Sequence, residues 1–91
     1  MPKRLTEKQI KENLRSLPEW KRKGQDISRL FKFSAFVPAM AFVNFVAGLA
    51  EGMDHHPDIV IQYNKVKLTL STHSAGGLTD LDFTLAKKID A

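Results

Sequence analysis

The sequence contains no cysteine, and this absence excludes several classes of protein. A disulfide framework, a thiolate zinc site and a cysteine nucleophile all require that residue. The opening segment, MPKRLTEKQ, contains basic residues but no apolar stretch of the kind found in secretory signals. We therefore expect a cytoplasmic protein without disulfides.

Acidic residues are scarce in the first third of the chain, where basic residues dominate. Residues 1–32 contain ten Lys and Arg against four Asp and Glu, whereas residues 33–91 contain four against six. A basic segment of this kind can bind nucleic acid. However, no Gly-rich phosphate loop, zinc-finger spacing or RNP-type aromatic motif accompanies it. We interpret the charge as a solvated helix face and a polar hairpin, without a nucleic-acid partner.

The apolar content of the chain is sufficient for one compact domain. Its 91 residues are 43% hydrophobic and 26% charged, a balance typical of globular proteins rather than disordered ones. A domain of this size buries about 60–65% of the surface of its unfolded chain, so its core is modest. We predict a single domain over residues 1–91 and expect oligomerisation to add stability.

Helical periodicity of the apolar residues, together with capping signals, predicts three helices. They cover Leu5–Leu17, Ala35–Gly52 and Asp80–Ile89. Thr6 and Gln9 have the spacing of a capping box at the start of the first helix, and Pro18 ends it. Ser34 is the candidate N-cap of the second helix, and Thr79 is that of the third.

Alternation of apolar and polar residues predicts four strands in two hairpins. They cover Trp20–Lys23, Ile27–Phe33, Asp58–Tyr63 and Val66–Thr72. Residues 24–26 form the first turn, and Asn64 and Lys65 form the second, with Asn64 in the left-handed conformation. The order α-β-β-α-β-β-α predicts an α+β sandwich, in which three helices cover one face of a four-stranded antiparallel sheet.

The second predicted helix is apolar on almost every side. Its apolar run, Ala35–Ala50, is shorter than the ~20 residues that cross a membrane. It is also interrupted by Pro38, Asn44 and Gly48. We predict a helix buried in the protein, with its second face in a subunit interface. Val66–Thr72 contains no proline that would block pairing at a sheet edge, which also favours a homo-oligomer.

All three histidines lie in the second half of the chain, at the ends of predicted elements. His55 and His56 follow the second helix, and His73 follows the last strand. Since a helix end and a strand end can meet at one edge of a small domain, the three can form one cluster. Histidine has an ordinary pKa of about 6.5, so it donates and accepts protons near neutral pH. The cluster is therefore a candidate acid–base site.

Two other interpretations fit the same residues. Three histidines and a carboxylate can bind a metal ion, although the adjacent His55 and His56 lack the i, i+4 spacing that aims two ligands from one helix. The histidines can also be structural, with His56 in a turn and the neighbouring acidic residues in solvent. Asp82 lies three residues after Thr79, where helix capping alone can account for it.

The spacing of these residues resembles the signature of the pterin-4a-carbinolamine dehydratases. The resemblance rests on the segment EGMDHHP, followed at fixed offsets by Tyr63, His73 and Asp82. The segments FKFSAF, YNKV and STHSAGGLTDLDF, and the order of the elements, are also similar to that family. The resemblance covers essentially the whole chain and is densest from Phe31 to Ala86.

The resemblance implies a hydro-lyase that acts on a 4a-hydroxytetrahydropterin. This compound is left when an aromatic amino acid hydroxylase has used its tetrahydropterin, and removal of water gives the quinonoid dihydropterin that a reductase recycles. No metal or organic cofactor is implied. The family fold is the α+β fold predicted above, with dimers that pair at sheet edges and tetramers built through helices. An aromatic amino acid hydroxylase is a candidate partner, and no membrane is implied.

Carried over residue by residue, the resemblance assigns catalytic roles to His55, His56, His73 and Asp82. Asp82 is expected to orient a histidine, namely His73. The residues expected to bind the substrate flank the histidines, and they are Glu51, Asp54, Ser71, Thr72 and Ser74. The segment DIVIQ, between Pro57 and Tyr63, has no aromatic residue near its start. An aromatic contact with the pterin at that point, where another member has one, is therefore missing here.

Other members of the family imply other functions. In animals, members act as dimerisation partners of a homeodomain transcription factor, a role that would use the helical surface. Bacterial and plastid relatives serve other pathways, including molybdopterin metabolism and enzyme assembly. The presence of every matched site residue in this chain favours the dehydratase function.

Overall fold

A computed structural model describes residues 3–91, so Met1 and Pro2, which the predicted domain includes, lie outside the described residues. The elements are α1 (Glu7–Leu14), β1 (Lys21–Lys23), β2 (Asp26–Lys32), α2 (Phe36–Met53), β3 (Asp58–Gln62), β4 (Lys65–Leu70) and α3 (Asp80–Asp90). One short 3-10 turn, His73–Ala75, separates β4 from α3. The predicted α+β class and the predicted order of elements are confirmed.

The four strands form one antiparallel sheet in the order β1-β2-β4-β3. The last strand in sequence, β4, therefore lies inside the sheet between β2 and β3, with Leu68 opposite Arg29 on one side and Ile59 on the other. The prediction of this strand as a free sheet edge was wrong. The edges are β1 and β3, because the chain returns from α2 to place β3 on the outside of β4.

The core lies between one face of the sheet and the helices. In β4, Val66, Leu68 and Leu70 are fully buried, whereas the alternating Lys65 and Lys67 are exposed. This period of two places every second side chain on the covered face. All three helices contribute buried side chains to the same core, namely Ile10, Ala39, Val46, Ala50, Phe83, Leu85, Ala86 and Ile89.

The start of α1 was predicted correctly, but its end was not. Thr6 and Gln9 form the predicted capping box, in which the side chain of each residue accepts from the backbone N–H of the other. The helix ends at Leu14 rather than at Leu17. Beyond Leu14 the hydrogen bonds span three residues instead of four, and the Leu17 N–H donates to the Leu14 carbonyl at 3.0 Å. Leu17 is still buried, so the apolar stripe was assigned to the right face.

The prediction of Ser34 as the N-cap of α2 was wrong. The N-cap is Ala35, whose side chain makes no capping hydrogen bond. Pro38 occupies the third position of the helix and has no N–H, so it lacks one of the donors that a capping side chain satisfies. A hydroxyl at the cap would therefore stabilise this helix less than usual.

The hairpin between β3 and β4 turns one residue earlier than predicted. Gln62 pairs with Lys65, so the two loop residues are Tyr63 and Asn64. Tyr63, rather than the predicted Asn64, has the left-handed backbone, with φ of 51°. Asn64 instead bonds to the end of β2, where its Nδ2 donates to the Phe33 carbonyl at 2.9 Å and its own carbonyl accepts from the Phe33 N–H at 2.8 Å.

One side of α2 is buried and the other is exposed. Ala39, Val46 and Ala50 are fully buried, whereas Val37 and Phe45 are exposed. By length and composition alone this helix is apolar enough to cross a membrane, but here it packs on β4 and α3. The prediction of a buried helix is therefore confirmed for one face, and the other face remains uncovered in the isolated chain.

Candidate active site

The site is built around a buried contact between His55 and Asp82. The Nε2 atom of His55 lies 2.6 Å from Oδ1 of Asp82. Asp82 is completely buried and His55 is 8% exposed, so the pair is shielded from water. The end of α2 positions the histidine, because Asp54 takes the left-handed conformation and the His55 N–H then donates to the Ala50 carbonyl at 3.1 Å.

The start of α3 positions the carboxylate. Thr79 is the N-cap, as predicted, and Asp82 occupies the third helical position. Oδ2 of Asp82 accepts from the backbone N–H of Thr79 at 2.9 Å, which is the return bond of a capping box. The same oxygen accepts from the hydroxyl of Thr72 at 2.8 Å. Helix capping therefore explains only one of the three hydrogen bonds that this carboxylate makes.

The prediction that Asp82 orients His73 was wrong, because Asp82 bonds to His55 instead. The alternation of side chains along an extended chain gives the physical reason. Thr72 is buried and faces Asp82, whereas the next residue, His73, is exposed. The chain leaves the sheet at this point and begins the 3-10 turn, so the imidazole of His73 lies on the solvent side.

His56 forms a second pair with a carboxylate, on the surface of the protein. Its Nε2 atom contacts Oε2 of Glu51, which lies in the last turn of α2. Both side chains are more than half exposed, so water and salt weaken this pair. The adjacent histidines therefore have different surroundings, since His55 is buried against Asp82 and His56 is open to solvent.

The remaining residues expected to bind substrate differ in how far their side chains are already held by hydrogen bonds within the protein. Asp54 and Ser74 are exposed, with side chains free to meet a ligand. The hydroxyl of Ser71 donates to the Gln25 carbonyl at 2.9 Å, which ties it to the first hairpin. Thr72 is the most constrained, because its hydroxyl, its N–H and its carbonyl all bond within the protein.

The hydrogen bonds of Asp82 join two loops into one site. The loop after α2 carries His55 and His56, and the loop after β4 carries Thr72 and His73. The second loop is closed by a backbone bridge between Thr72 and Gly77, with Gly76 in the left-handed conformation. Within residues 3–91 the histidines make no hydrogen bonds to one another, so the carboxylate is what brings their loops together.

Thr79 belongs to the site, although it was not among the site residues predicted from the sequence. Its hydroxyl lies 2.8 Å from that of Thr72, and both residues are buried. Its spacing to Asp82 was the available signal, but that signal was interpreted as capping alone. Among the residues that the structure describes, no group of three or more histidine and acidic side chains has the arrangement of a metal site.

The fold and the site together define a class of protein: a small α+β domain with a buried carboxylate–imidazole pair, in which the two loops that this carboxylate joins carry two further, exposed imidazoles. Comparison with known proteins then identifies the family. Residues 3–91 match the sequence profile of pterin 4 alpha carbinolamine dehydratase, and the chain belongs to this family.

Curated relatives cover nearly the whole chain. A protein of Acidobacterium capsulatum is 59% identical over 87 residues, which are 96% of this chain and 95% of its own. A protein of Sulfurisphaera tokodaii is 52% identical over 88 residues, with 97% and 95% covered. Both are provisionally named pterin-4-alpha-carbinolamine dehydratases.

Two solved structures share the fold. A transcriptional coactivator/pterin dehydratase from Brucella melitensis superposes with a TM-score of 0.91 at 43% identity, covering 96% of this chain and 95% of its own. A pterin dehydratase-like protein described as a RuBisCO assembly factor in the alpha-carboxysome has a TM-score of 0.67 at 24% identity, covering 79% and 86%. The second likeness extends to the fold alone.

Proposed function

We propose that the protein dehydrates a 4a-hydroxytetrahydropterin to the quinonoid dihydropterin and water, in the cytoplasm, and so recycles the pterin cofactor of aromatic amino acid hydroxylases. The observation that carries the proposal is the buried pair of Asp82 and His55. A buried carboxylate that holds one nitrogen of an imidazole leaves the other nitrogen available for proton transfer. Family membership supplies the chemical class of the substrate.

In the proposed reaction, the bond between C4a and the hydroxyl oxygen breaks, and a double bond forms between C4a and N5. The leaving hydroxyl needs a proton, and the proton on N5 must be removed. We assign removal of the N5 proton to Nδ1 of His55, because its Nε2 is held by Asp82. We assign protonation of the hydroxyl, which then leaves as water, to the exposed imidazole of His73. No net proton is gained or lost.

His56 and Glu51 complete the proposed site. His56 follows His55 in the sequence, and its contact with Glu51 on the surface orients the His56 ring. We propose that this pair positions the substrate rather than transferring a proton in the rate-limiting step. Asp54 and Ser74 are exposed at the same two loops and would contact the polar edge of the pterin.

We also propose that the protein is a homo-oligomer. The two edge strands differ: β1 has the charged sequence KRK, whereas β3 contains Ile59, Val60 and Ile61. Charged side chains discourage edge-to-edge pairing, so β3 is the edge that can pair with a second copy. Because β3 begins directly after Pro57, this pairing would lie beside the histidine loop.

The decisive experiment is a dehydration assay on freshly prepared 4a-hydroxytetrahydropterin, with the uncatalysed rate subtracted. The matched control is Asp82→Asn, which keeps the size of the side chain but exchanges one acceptor oxygen for an amide. We expect rapid turnover by the wild type and about 10²-fold less by the variant. A purified, folded wild type that does not exceed the uncatalysed rate would refute the proposed function.

The uncovered face of α2 favours one second candidate, a non-catalytic interaction function. Val37, Ala41 and Phe45 follow one another at intervals of four residues and are all exposed. Such a face would bind a partner protein without using the histidines. If this protein binds a partner through α2 and shows no dehydratase activity, the interaction function is favoured over the catalytic one.

A further inference from the structure

A chain of two buried hydroxyl groups leads to the carboxylate of Asp82. Oγ1 of Thr79 lies 2.8 Å from Oγ1 of Thr72, and Oγ1 of Thr72 lies 2.8 Å from Oδ2 of Asp82. Thr79 is completely buried and Thr72 is 4% exposed. The dehydration proposed above does not use either hydroxyl, and helix capping requires only that of Thr79.

The directions of these hydrogen bonds can be assigned by counting protons. Each hydroxyl has a single proton. Thr72 donates its proton to Asp82, so in its contact with Thr79 it can only accept. Thr79 must therefore donate to Thr72, while its oxygen accepts from the Leu81 N–H at 3.3 Å. The hydrogen bonds run in one direction, from Thr79 through Thr72 to Asp82.

This direction determines what Asp82 can do at its second oxygen. Oδ2 receives two donors, the Thr72 hydroxyl and the Thr79 N–H, so it carries no proton of its own. If Oδ1 is also unprotonated, it must accept from Nε2 of His55, and in the neutral ring Nδ1 of His55 is then free of a proton. In the opposite arrangement Oδ1 would donate to Nε2, and Nδ1 would carry a proton and could not act as a base.

We propose that Thr72 and Thr79 are positioning residues that hold His55 in the tautomer with its proton on Nε2. They act through Asp82. Their ordered donors bond to its carboxylate, so that both of its oxygens remain hydrogen-bond acceptors. The tautomer of His55 does not depend on the proposed function. Only its consequence, that Nδ1 accepts the N5 proton, rests on that function. Thr72 is thereby reassigned from substrate binding to positioning, because all its polar groups bond inside the protein.

The position of Nδ1 agrees with this role. Within residues 3–91 no protein group bonds to Nδ1, and no buried side-chain nitrogen or oxygen lacks a hydrogen-bond partner. Nδ1 is therefore reached by solvent although the ring as a whole is buried. A base in this position is open to a substrate and needs no change in the core.

The test is a ¹⁵N–¹H NMR spectrum of the histidine rings, recorded without any substrate at a pH where the rings are neutral. We expect His55 to be protonated at Nε2 in the wild type. Thr72→Val keeps the shape of the side chain but removes the hydroxyl, and we expect a mixture of the two tautomers. Thr72→Ser keeps the hydroxyl and should restore the wild-type spectrum. A wild-type His55 protonated at Nδ1 overturns the inference by itself.

A matched pair of variants separates positioning from helix capping. Thr79→Val removes the start of the hydroxyl chain together with the cap of α3, whereas Thr6→Val removes the corresponding cap of α1. We expect only the first to change the tautomers of His55. An unchanged His55 spectrum in Thr72→Val would overturn the proposal. An equal effect of Thr6→Val would also overturn it, because the change would then reflect general destabilisation.

Turnover adds a second readout. We expect Thr72→Val to lower the kcat of dehydration about 10-fold with little change in KM, and Thr72→Ser to recover most of it. If the wild type shows the expected tautomer but no dehydration, the proposed function fails while the positioning role stands. If dehydration is rapid but the tautomer does not respond to Thr72→Val, the proposed function stands and the positioning role fails.

Discussion

The indole Nε1 of Trp20 lies 3.1 and 3.0 Å from the two carboxylate oxygens of Asp90, across 70 residues of sequence. Trp20 is buried beside the start of β1, and Asp90 ends α3. Asp90 also accepts from Arg29 at 2.9 Å, and the Arg29 guanidinium lies over the ring of Phe31. One carboxylate therefore ties the last helix to β2 and to the residue that precedes β1.

Removal of this carboxylate should destabilise the fold. We expect Asp90→Ala to lower the free energy of unfolding by about 1–2 kcal/mol, because Trp20 loses its charged acceptor and the site is only partly exposed to water. Urea unfolding followed by circular dichroism measures the change. Lys88→Ala, an exposed substitution on the same helix, is the control. Equal stability of the two variants would show that the contact contributes nothing.

The three histidines should contribute unequally to the rate. We expect His55→Ala and His73→Ala each to lower the dehydration rate by about 10²-fold or more, the usual loss when one acid–base group is removed. His56→Ala should have a milder effect, mainly on KM, because the role that we propose for His56 is to position the substrate. Steady-state kinetics with circular dichroism as a folding control distinguish these cases. Rates close to that of the wild type in both strong variants would exclude the proposed mechanism.

Asp54 should show opposite effects on stability and activity. It has φ of 50°, a left-handed conformation at the end of α2 that glycine adopts without strain. We expect Asp54→Gly to raise the free energy of unfolding by about 0.5–1 kcal/mol, because the backbone strain is relieved. We expect it to lower kcat/KM about 10-fold, because we propose that the carboxylate contacts the pterin. Thermal unfolding and kinetics test the two parts. Asp54→Asn, which tolerates the same backbone, isolates the effect of charge.

The contact between Glu7 and Arg22 should make stability depend on pH. Arg22 donates to both carboxylate oxygens of Glu7, at 2.6 and 2.8 Å, and this lowers the pKa of Glu7 below its ordinary value of about 4.5. A lowered carboxyl pKa favours folding above the pKa of the unfolded chain, and the benefit is lost as the pH falls through the folded value.

Comparison of Glu7→Gln with the wild type measures this effect. We expect the wild type to be more stable at pH 6 and the difference to shrink as the pH falls below about 4.5. Glu12→Gln, an exposed substitution on the same helix, removes an equal charge and is the control. A difference that stays constant from pH 6 to pH 3 would contradict the role of the ion pair.

The protein should form at least a dimer at micromolar concentration. Light scattering over a dilution series should show a mass well above the 10.3 kDa of one chain. Val60→Lys places a charge on the edge strand β3, and Phe45→Glu places one on the exposed face of α2. We expect each substitution to shift the distribution of oligomers to smaller species. The separate effects of the two substitutions distinguish an interface at β3 from one at α2. A fully active monomer would refute both.

The local signals of the sequence determined the elements and their boundaries to within a few residues. Both capping boxes were found, because the side-chain contacts that define them span only three residues. The same local reasoning failed where a neighbouring constraint intervened, as at Pro38, which weakens the need for a capping hydroxyl, and at Tyr63, where strand register moved the turn.

The sequence also determined the composition of the candidate site and the family that it indicates. His55, His56 and Asp82 occur at spacings that resemble the family's signature, and the family match extends over residues 3–91. Spacing beyond a few residues, however, does not show which side chains meet. Asp82 is nine residues from His73 and 27 from His55, yet it bonds to His55.

Only the tertiary structure decided the pairing of the site and the edges of the sheet. The pleat of the chain after β4 buries Thr72 and exposes His73, and the packing of α3 against the end of α2 brings Asp82 to His55. The order β1-β2-β4-β3 places β4 at the centre and leaves β3 at an edge. Both outcomes depend on contacts between distant segments, whereas periodicity and capping report only on residues within a few positions of one another.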